Sequence, residues 1–335
     1  MIPNPENQVV ASTLAALFER DFADQASESP VDLATWEQTL LGPALSFARR
    51  PSKRFRARLT ENFWFLFGGD PTKIPTELPN LIELIHAGSL IVDDIQDGSQ
   101  TRRGEPSLHN IIGTGPAINT GNWLYFLGLS LIPQLRLSPA VTARAFQEVT
   151  SVMLRCHQGQ ALDLGVRVFE LPRSQITTTV AEITSLKSGA LAELCGVLPG
   201  LATGAQDTKL GAARDFCRHL GVGLQMLDDI GSIRSRRDKG LEDLQLARPT
   251  WAWAWLAEVA SDVDFVRASR LARDVHAGAD TGELFDLLDR SSSLGASRAG
   301  AHLERARQRL DAEFASSPAH TAIASEIDRL ERSYG

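Results

Sequence analysis

The chain has 335 residues, 43% of them hydrophobic, and a formal net charge of −7. That is enough apolar material for one large core or two modest ones. The acidic balance speaks against wholesale nucleic-acid binding, and no run approaches the ~18 apolar residues of a membrane span. The start, MIPNPENQVV, has neither the basic nor the apolar segment of a secretory signal. Cys156, Cys195 and Cys217 are odd in number, far apart and without metal-ligand spacing, which suits a reducing compartment. A cytoplasmic protein with buried structural thiols is expected.

Residues 1–7 read as a frayed terminus. From about Gln8 to Ala26, Val9, Leu14, Leu17 and Phe18 recur at helical spacing. Pro30 opens a second helix through Leu45, and a basic run, RRPSKRFRARL, covers 49–59. Glu83–Gly104 reads as a mostly apolar helix that ends in Asp93, Asp94 and Asp97 and runs into Arg102 and Arg103. Gly113–Leu135 is the next expected core helix, and 138–165 a long amphipathic one carrying Gln160 and Asp163 on one face. Leu186-Lys187-Ser188-Gly189 follows, then a second acid pair, Asp228 and Asp229, three residues after Gln225. A second basic cluster covers 234–239. Trp251, Trp253 and Trp255 alternate, which does not place all three on one helical face; core packing is the reading preferred over a carbocation cage. Three further amphipathic helices are expected from 256 onward, with a break at Ser291–Gly295. Strand alternation is scarce, there is no Gly-rich nucleotide loop, and no repeat or linker divides the chain. The expected fold is all-α, a helical bundle with a central cavity formed by one domain over 1–335.

The acids carry the chemistry. On a helix Asp93 and Asp97 share a face one turn apart with Asp94 beside them. Carboxylates packed so closely repel unless a cation screens them. Mg2+ commonly binds one or two carboxylates together with a substrate's phosphates, and arginine suits bidentate phosphate contacts. An acid cluster at a helix end is more often simply solvated. Here an apolar helix delivers the cluster, and a second acid pair recurs in a similar setting.

These stretches resemble the trans-isoprenyl (polyprenyl) diphosphate synthases. The first DDxxD motif is complete as Asp93, Asp94 and Asp97, preceded by Glu83, His86, Ser89 and Leu90 and followed by Arg102-Arg103-Gly104. Gln160, Asp163, Lys187, Ser188, Gln225, Asp228 and Asp229 fall on later motifs. The chain departs from the family at Pro51, Ser52 and Ala57 in the GGKRxRP motif, at Asn122 for an acid, and at Ser232 for the third acid of the second motif. The resemblance implies that Lys53, Arg56, His86 and Arg103 hold isopentenyl diphosphate. It implies that Arg102, Lys187, Ser188, Gln225 and Lys239 serve the allylic diphosphate. About three Mg2+ ions would be held by Asp93, Asp94, Asp97, Asp228 and Asp229.

The implied reaction is 1'-4 head-to-tail condensation of isopentenyl diphosphate with an allylic diphosphate, in a homodimer. Metals and cations stabilise the leaving diphosphate, and no side-chain nucleophile is required. Ser89, Gly88, Ile85 and Ile82, at four, five, eight and eleven residues before Asp93, are expected along the product tunnel, with Phe126 as its floor. The small residues at 88 and 89 point to a C20 or longer product. A class I terpene cyclase is the first alternative, and Lys53, Arg56 and His86 argue against it. A non-catalytic regulatory subunit is the second, and the intact first motif argues against that.

Overall fold

The computed structural model describes residues 10–20, 29–235 and 238–334. The expected frayed segment 1–7, both ends of the expected 8–26 helix, and Arg236 and Arg237 of the second basic cluster lie outside the described residues. The contact pattern groups the chain into two compact units, 1–61 with 72–146, and 62–71 with 147–335.

In the first unit, α1 spans 10–20 and buries Leu14, Leu17 and Phe18, the side chains whose spacing predicted it. A helical run follows as Leu33–Trp36, a π-helical turn Glu37–Leu41, and Gly42–Ala48, which is labelled α2. The run ends three residues later than the periodicity suggested. α3 is Phe55–Leu66 and α4 is Glu77–Asp97. Nearly the whole first half of α4 is buried, and Gly98 ends it at φ 68°, a left-handed cap. The only strands among the described residues, β1 (Thr101–Arg102) and β2 (Glu105–Pro106), pair antiparallel with Arg102 opposite Glu105. Their two-residue turn is Arg103-Gly104, with φ 57° and 81°. Positive φ at both central residues is what a mirror-image hairpin turn demands. α5 is Leu108–Ile112, and α6, Thr114–Ser130, packs along α4.

α4 and α6 meet through glycines. A β-carbon on Gly88 would lie 2.6 Å from the carbonyl oxygen of Gly121, and one on Gly128 would lie 2.9 Å from Ile85. This corrects the tunnel reading at two positions. Gly88 is spent on the helix crossing, about a quarter-circle round α4 from Ser89, and Ile85, though near the Ser89 face, is packed against Gly128 of α6. Phe126 is corrected too. It is 70% exposed and closes nothing within this chain, being opposite the Gly121, Leu124 and Gly128 face that meets α4. Asn122 lies on that same outer face with Ile118 and Phe126, so the missing acid there touches none of the described acid clusters.

In the second unit, α7 is Pro139–Gly165. α8 (Arg173–Thr184) passes through a π-helical turn, Ser185–Gly189, into α9 (Ala190–Ala202). α10 is Asp207–Arg234, α11 Asp238–Gln245 and α12 Trp251–Val259. Trp251, Trp253 and Trp255 are all buried, as the core reading held. Beyond α12 come α13 (Asp262–His276), α14 (Gly282–Asp289), α15 (Ser292–Glu313) and α16 (Pro318–Tyr334), one helix more than expected. α15 also runs straight through Gly295. That glycine is a packing site, since a β-carbon there would enter the Trp255 indole at 2.5 Å.

The unit is tied by Glu193 on α9. It is fully buried and takes Arg155 of α7 at 2.8 and 3.2 Å, and Arg214 and Arg218 of α10 at 3.0 and 2.8 Å. These guanidiniums outweigh burial and hold its carboxyl below the usual range.

Candidate active site

The first unit brings together most of its expected residues. His86, Ser89, Leu90, Asp93 and Asp97 are all half-exposed on α4, and they share a face. Arg56, in the first turn of α3, approaches His86 with Nη1 to Nε2 at 3.1 Å. Arginine only donates, so Nε2 accepts and the proton sits on Nδ1. Burial, then Arg56, Arg103 and Arg102, push the His86 pKa well below the ordinary imidazole value, so the ring is neutral. Its Nδ1 and the Nε of Arg56 are buried with no hydrogen-bond acceptor among the described residues. Lys53 precedes α3 and is exposed, and Arg54 has φ 40°, a left-handed conformation.

Glu83, buried one turn before His86, accepts the Ala57 N–H at 3.1 Å and so anchors the start of α3 to α4. It also faces Arg103 electrostatically. Glu83 and Arg50 both belong to this cluster, and sequence reasoning gave neither a role. A buried acid at the head of the Glu83–His86 pattern and a doubled arginine in the basic run were the available signals.

The acids of the first motif divide into two kinds. Asp94 is wholly buried, and its Oδ1 accepts both Nε (2.7 Å) and Nη2 of Arg102. Burial raises its pKa and Arg102 opposes that. Asp94 and Arg102, expected on metal and on diphosphate, are therefore engaged with each other. Asp93 and Asp97 remain half-exposed on the shared face.

In the second unit Lys187, on the π-helical turn, pairs with Asp163 of α7 at 2.5 Å. The close pass requires Gly159, where a β-carbon would meet Leu186 and Lys187 at under 3 Å. Ser188 donates to Gln225 at 2.8 Å, and Gln225 donates to Asp229 at 2.9 Å. The other Asp229 oxygen accepts the Trp251 N–H at 2.9 Å. Burial lifts the Asp229 pKa to about 7, against these two hydrogen bonds and with help from Asp243 and Asp228. Asp229 is thus held from both sides, and it and Asp228 are both half-exposed. Lys239 pairs with Asp243 at 3.2 Å, and buried Arg248 donates to the Asp163 carbonyl. Ser232, in place of the third acid, lies under the start of α11. It is buried, and Gly240 of α11 lies so close that a β-carbon there would meet the Ser232 carbonyl oxygen at 2.6 Å.

Among the described residues no three acid or imidazole ligands converge on one point. In the two acid motifs the half-exposed carboxylates are Asp93 and Asp97 in the first and Asp228 and Asp229 in the second. Hard oxygen donors in ones and twos fit Mg2+, which keeps the rest of its shell for water and phosphate.

The helical fold and the paired carboxylates define an isoprenoid-synthase architecture. Solved structures share it. Geranylgeranyl pyrophosphate synthetase from Pyrococcus horikoshii Ot3 superposes with a TM-score of 0.79 at 24% identity, over 98% of this chain and 95% of that one. A decaprenyl diphosphate synthase from Rhodobacter capsulatus gives 0.77 at 18% identity, over 98% and 99%. The polyprenyl synthetase family model matches residues 37–287, and the chain belongs to that family. Relatives include geranylgeranyl pyrophosphate synthase 2 of Zymoseptoria tritici, 32% identical over 60% of this chain and 58% of that one. Geranylgeranyl pyrophosphate synthase atmG of Aspergillus flavus is 31% identical over 71% of this chain and 72% of that one. The match spans only a little over half of the Zymoseptoria protein's length, and 21% of a copalyl diphosphate synthase from Talaromyces verruculosus.

Proposed function

We propose that the protein is a Mg2+-dependent prenyltransferase. It condenses isopentenyl diphosphate with an allylic diphosphate to give an all-trans product of C20 or longer. The observation that carries this reading is the Arg56–His86 pair. A neutral imidazole held among guanidiniums, with buried donor atoms left over, is a pocket built for an anion. A cyclase has no second diphosphate to put there.

In this reading Lys53, Arg56, His86 and Arg103 grip the diphosphate of isopentenyl diphosphate, and Nδ1–H of His86 is a donor to it. Asp93 and Asp97, and Asp228 in the second unit, would hold Mg2+, with Asp94 and Asp229 braced by Arg102, Gln225 and Trp251 as orienting acids. Mg2+, when bound, neutralises the charge that develops on a leaving diphosphate. Lys187 adds a fixed positive charge to the allylic side, and Asp163 keeps it in place. Ser188 and Gln225 line that side, and Lys239 sits on the following helix. No serine, cysteine or lysine nucleophile is required. The printed names of the relatives support a geranylgeranyl or longer product.

The reading extends to a homodimer. Ile118 and Phe126 stand exposed on one face of α6, and a second copy of the chain is the proposed cover. Three widely spaced cysteines, an odd number, support a reducing, cytoplasmic setting. No helix among the described residues is long and apolar enough to cross a membrane.

The test is an assay with labelled isopentenyl diphosphate, Mg2+ and C5, C10, C15 or C20 allylic primers, with products resolved by length. Elongation that is lost in Asp93→Ala and in Arg56→Ala supports the synthase. Hydrocarbon or alcohol made without isopentenyl diphosphate would establish a cyclase. A folded protein inert to every primer would leave the regulatory subunit.

A further inference from the structure

Arg50 lies outside every motif discussed above, yet it is among the most deeply buried large side chains of the first unit, 1% exposed. Burying a guanidinium is costly unless its donors are used. Nη1 donates to the carbonyl of Arg102 at 3.3 Å. Nε lies 3.5 Å from the half-exposed carboxylate of Glu105, longer than an ordinary hydrogen bond. Nε and Nη2 find no hydrogen-bond acceptor among the described residues. The guanidinium also stands over the Phe47 ring at 5.1 Å, and Arg103 uses the same ring at 5.7 Å.

These contacts share a target. Arg102 and Glu105 are the paired residues that close the β1–β2 hairpin, and Arg103 is the first residue of its turn. Arg103 holds φ 57°, a conformation that costs a non-glycine residue on the order of 1 kcal/mol or more and persists only where the surroundings enforce it. Arg50 grips the backbone on one side of that turn, faces the side chain on the other, and shares a ring with the turn residue itself.

We infer that Arg50 is a positioning residue for isopentenyl diphosphate: it holds the hairpin so that Arg103 keeps its strained backbone and presents its guanidinium to the diphosphate. The inference rests on the synthase reading. It also makes a distinction that a purely structural role would not. Replacing a buried, incompletely paired charge by an apolar side chain of similar length is commonly neutral or stabilising. Arg50 should therefore be dispensable for folding and needed for binding.

The experiment compares wild type, Arg50→Met and Arg50→Lys. It uses calorimetric titration with isopentenyl diphosphate in the absence of metal, thermal melting, and steady-state kinetics varying each substrate. Arg50→Met should melt at or above the wild-type temperature, bind isopentenyl diphosphate roughly tenfold or more weakly, and raise its KM in step. The KM for the allylic diphosphate should stay within about twofold. Arg50→Lys, which keeps the charge but cannot span the Arg102 carbonyl and Phe47 together, should show the same split. If Arg50→Met does not fold, Arg50→Lys carries the test. Unchanged isopentenyl diphosphate affinity in the folded variant, or equal losses for both substrates, overturns the inference. A wild-type protein that neither binds nor elongates isopentenyl diphosphate overturns the synthase reading instead.

Discussion

Gly88 of α4 lies against Gly121 of α6 so closely that a β-carbon at position 88 would sit 2.6 Å from the Gly121 carbonyl oxygen. The obstacle is backbone, so no side-chain rotation relieves it. Gly88→Ala should separate the two helices and cost ~2–3 kcal/mol, at the upper end of overpacking penalties. Urea denaturation would measure it. A Gly88→Phe variant reports on folding and says little about product length, because its ring has no route into a tunnel.

Ser89 is the position to test for chain length. It is half-exposed on the face of α4 that carries His86 and Asp93, and its hydroxyl bonds the His86 carbonyl at 2.8 Å. A ring added there enters the space beside the first acid motif. Ser89→Phe should shorten the main product to C15 or below while the melting temperature changes little. Product analysis by chromatography decides. A main product of unchanged length in a folded variant would remove Ser89 from the tunnel.

Glu193 anchors Arg155, Arg214 and Arg218, and Glu148 takes only Arg214 in addition. Glu193→Gln leaves three guanidiniums around a neutral amide. Breaking a buried ion network by removing one partner costs ~3–5 kcal/mol, and the partial exposure of the arginines moves the expectation to the lower end. Chemical denaturation of the variant should show a loss of about 3 kcal/mol.

His219 of α10 and His302 of α15 meet with their Nδ1 atoms 3.2 Å apart. A hydrogen bond between them needs one nitrogen bare. Burial, His219 and Arg305 lower the His302 pKa to about 4. Burial and Arg305 lower that of His219, with Asp215 opposing and Arg218 and Arg309 adding to the depression. The unfolded chain, with imidazoles near their ordinary 6.5, binds more protons between about pH 6.5 and 4. Stability is therefore full above that window and falls as pH drops through it. Both rings are partly exposed, so solvent screening reduces the loss to ~1 kcal/mol. Melting curves at pH 7, 6 and 5 should show the decline, and His302→Gln should flatten it.

Helical periodicity alone determined the all-α class, the helix carrying the first acids, and the long helix over 139–165. Those signals are local, because apolar spacing and a left-handed glycine act within a few residues of themselves. The resemblance to the family's motifs named Arg56 and His86 for one diphosphate and Lys187 and Gln225 for the other; the pairing of Lys187 with Asp163 and of Gln225 with Asp229 is visible only in the structure.

The rest was decided by packing between helices. Which face of α4 meets α6 separates Ser89 from Gly88 and turns Phe126 outward, and a hydrophobic count at those positions does not distinguish the faces. Gly295 reads as a breaker until Trp255 is laid upon it. That Asp94 is buried against Arg102 while Asp93 and Asp97 are half-exposed depends on where the hairpin returns Arg102. That return is set by the left-handed Arg103-Gly104 turn together with the long-range contact of Arg50, from the bend after α2, with the Arg102 carbonyl.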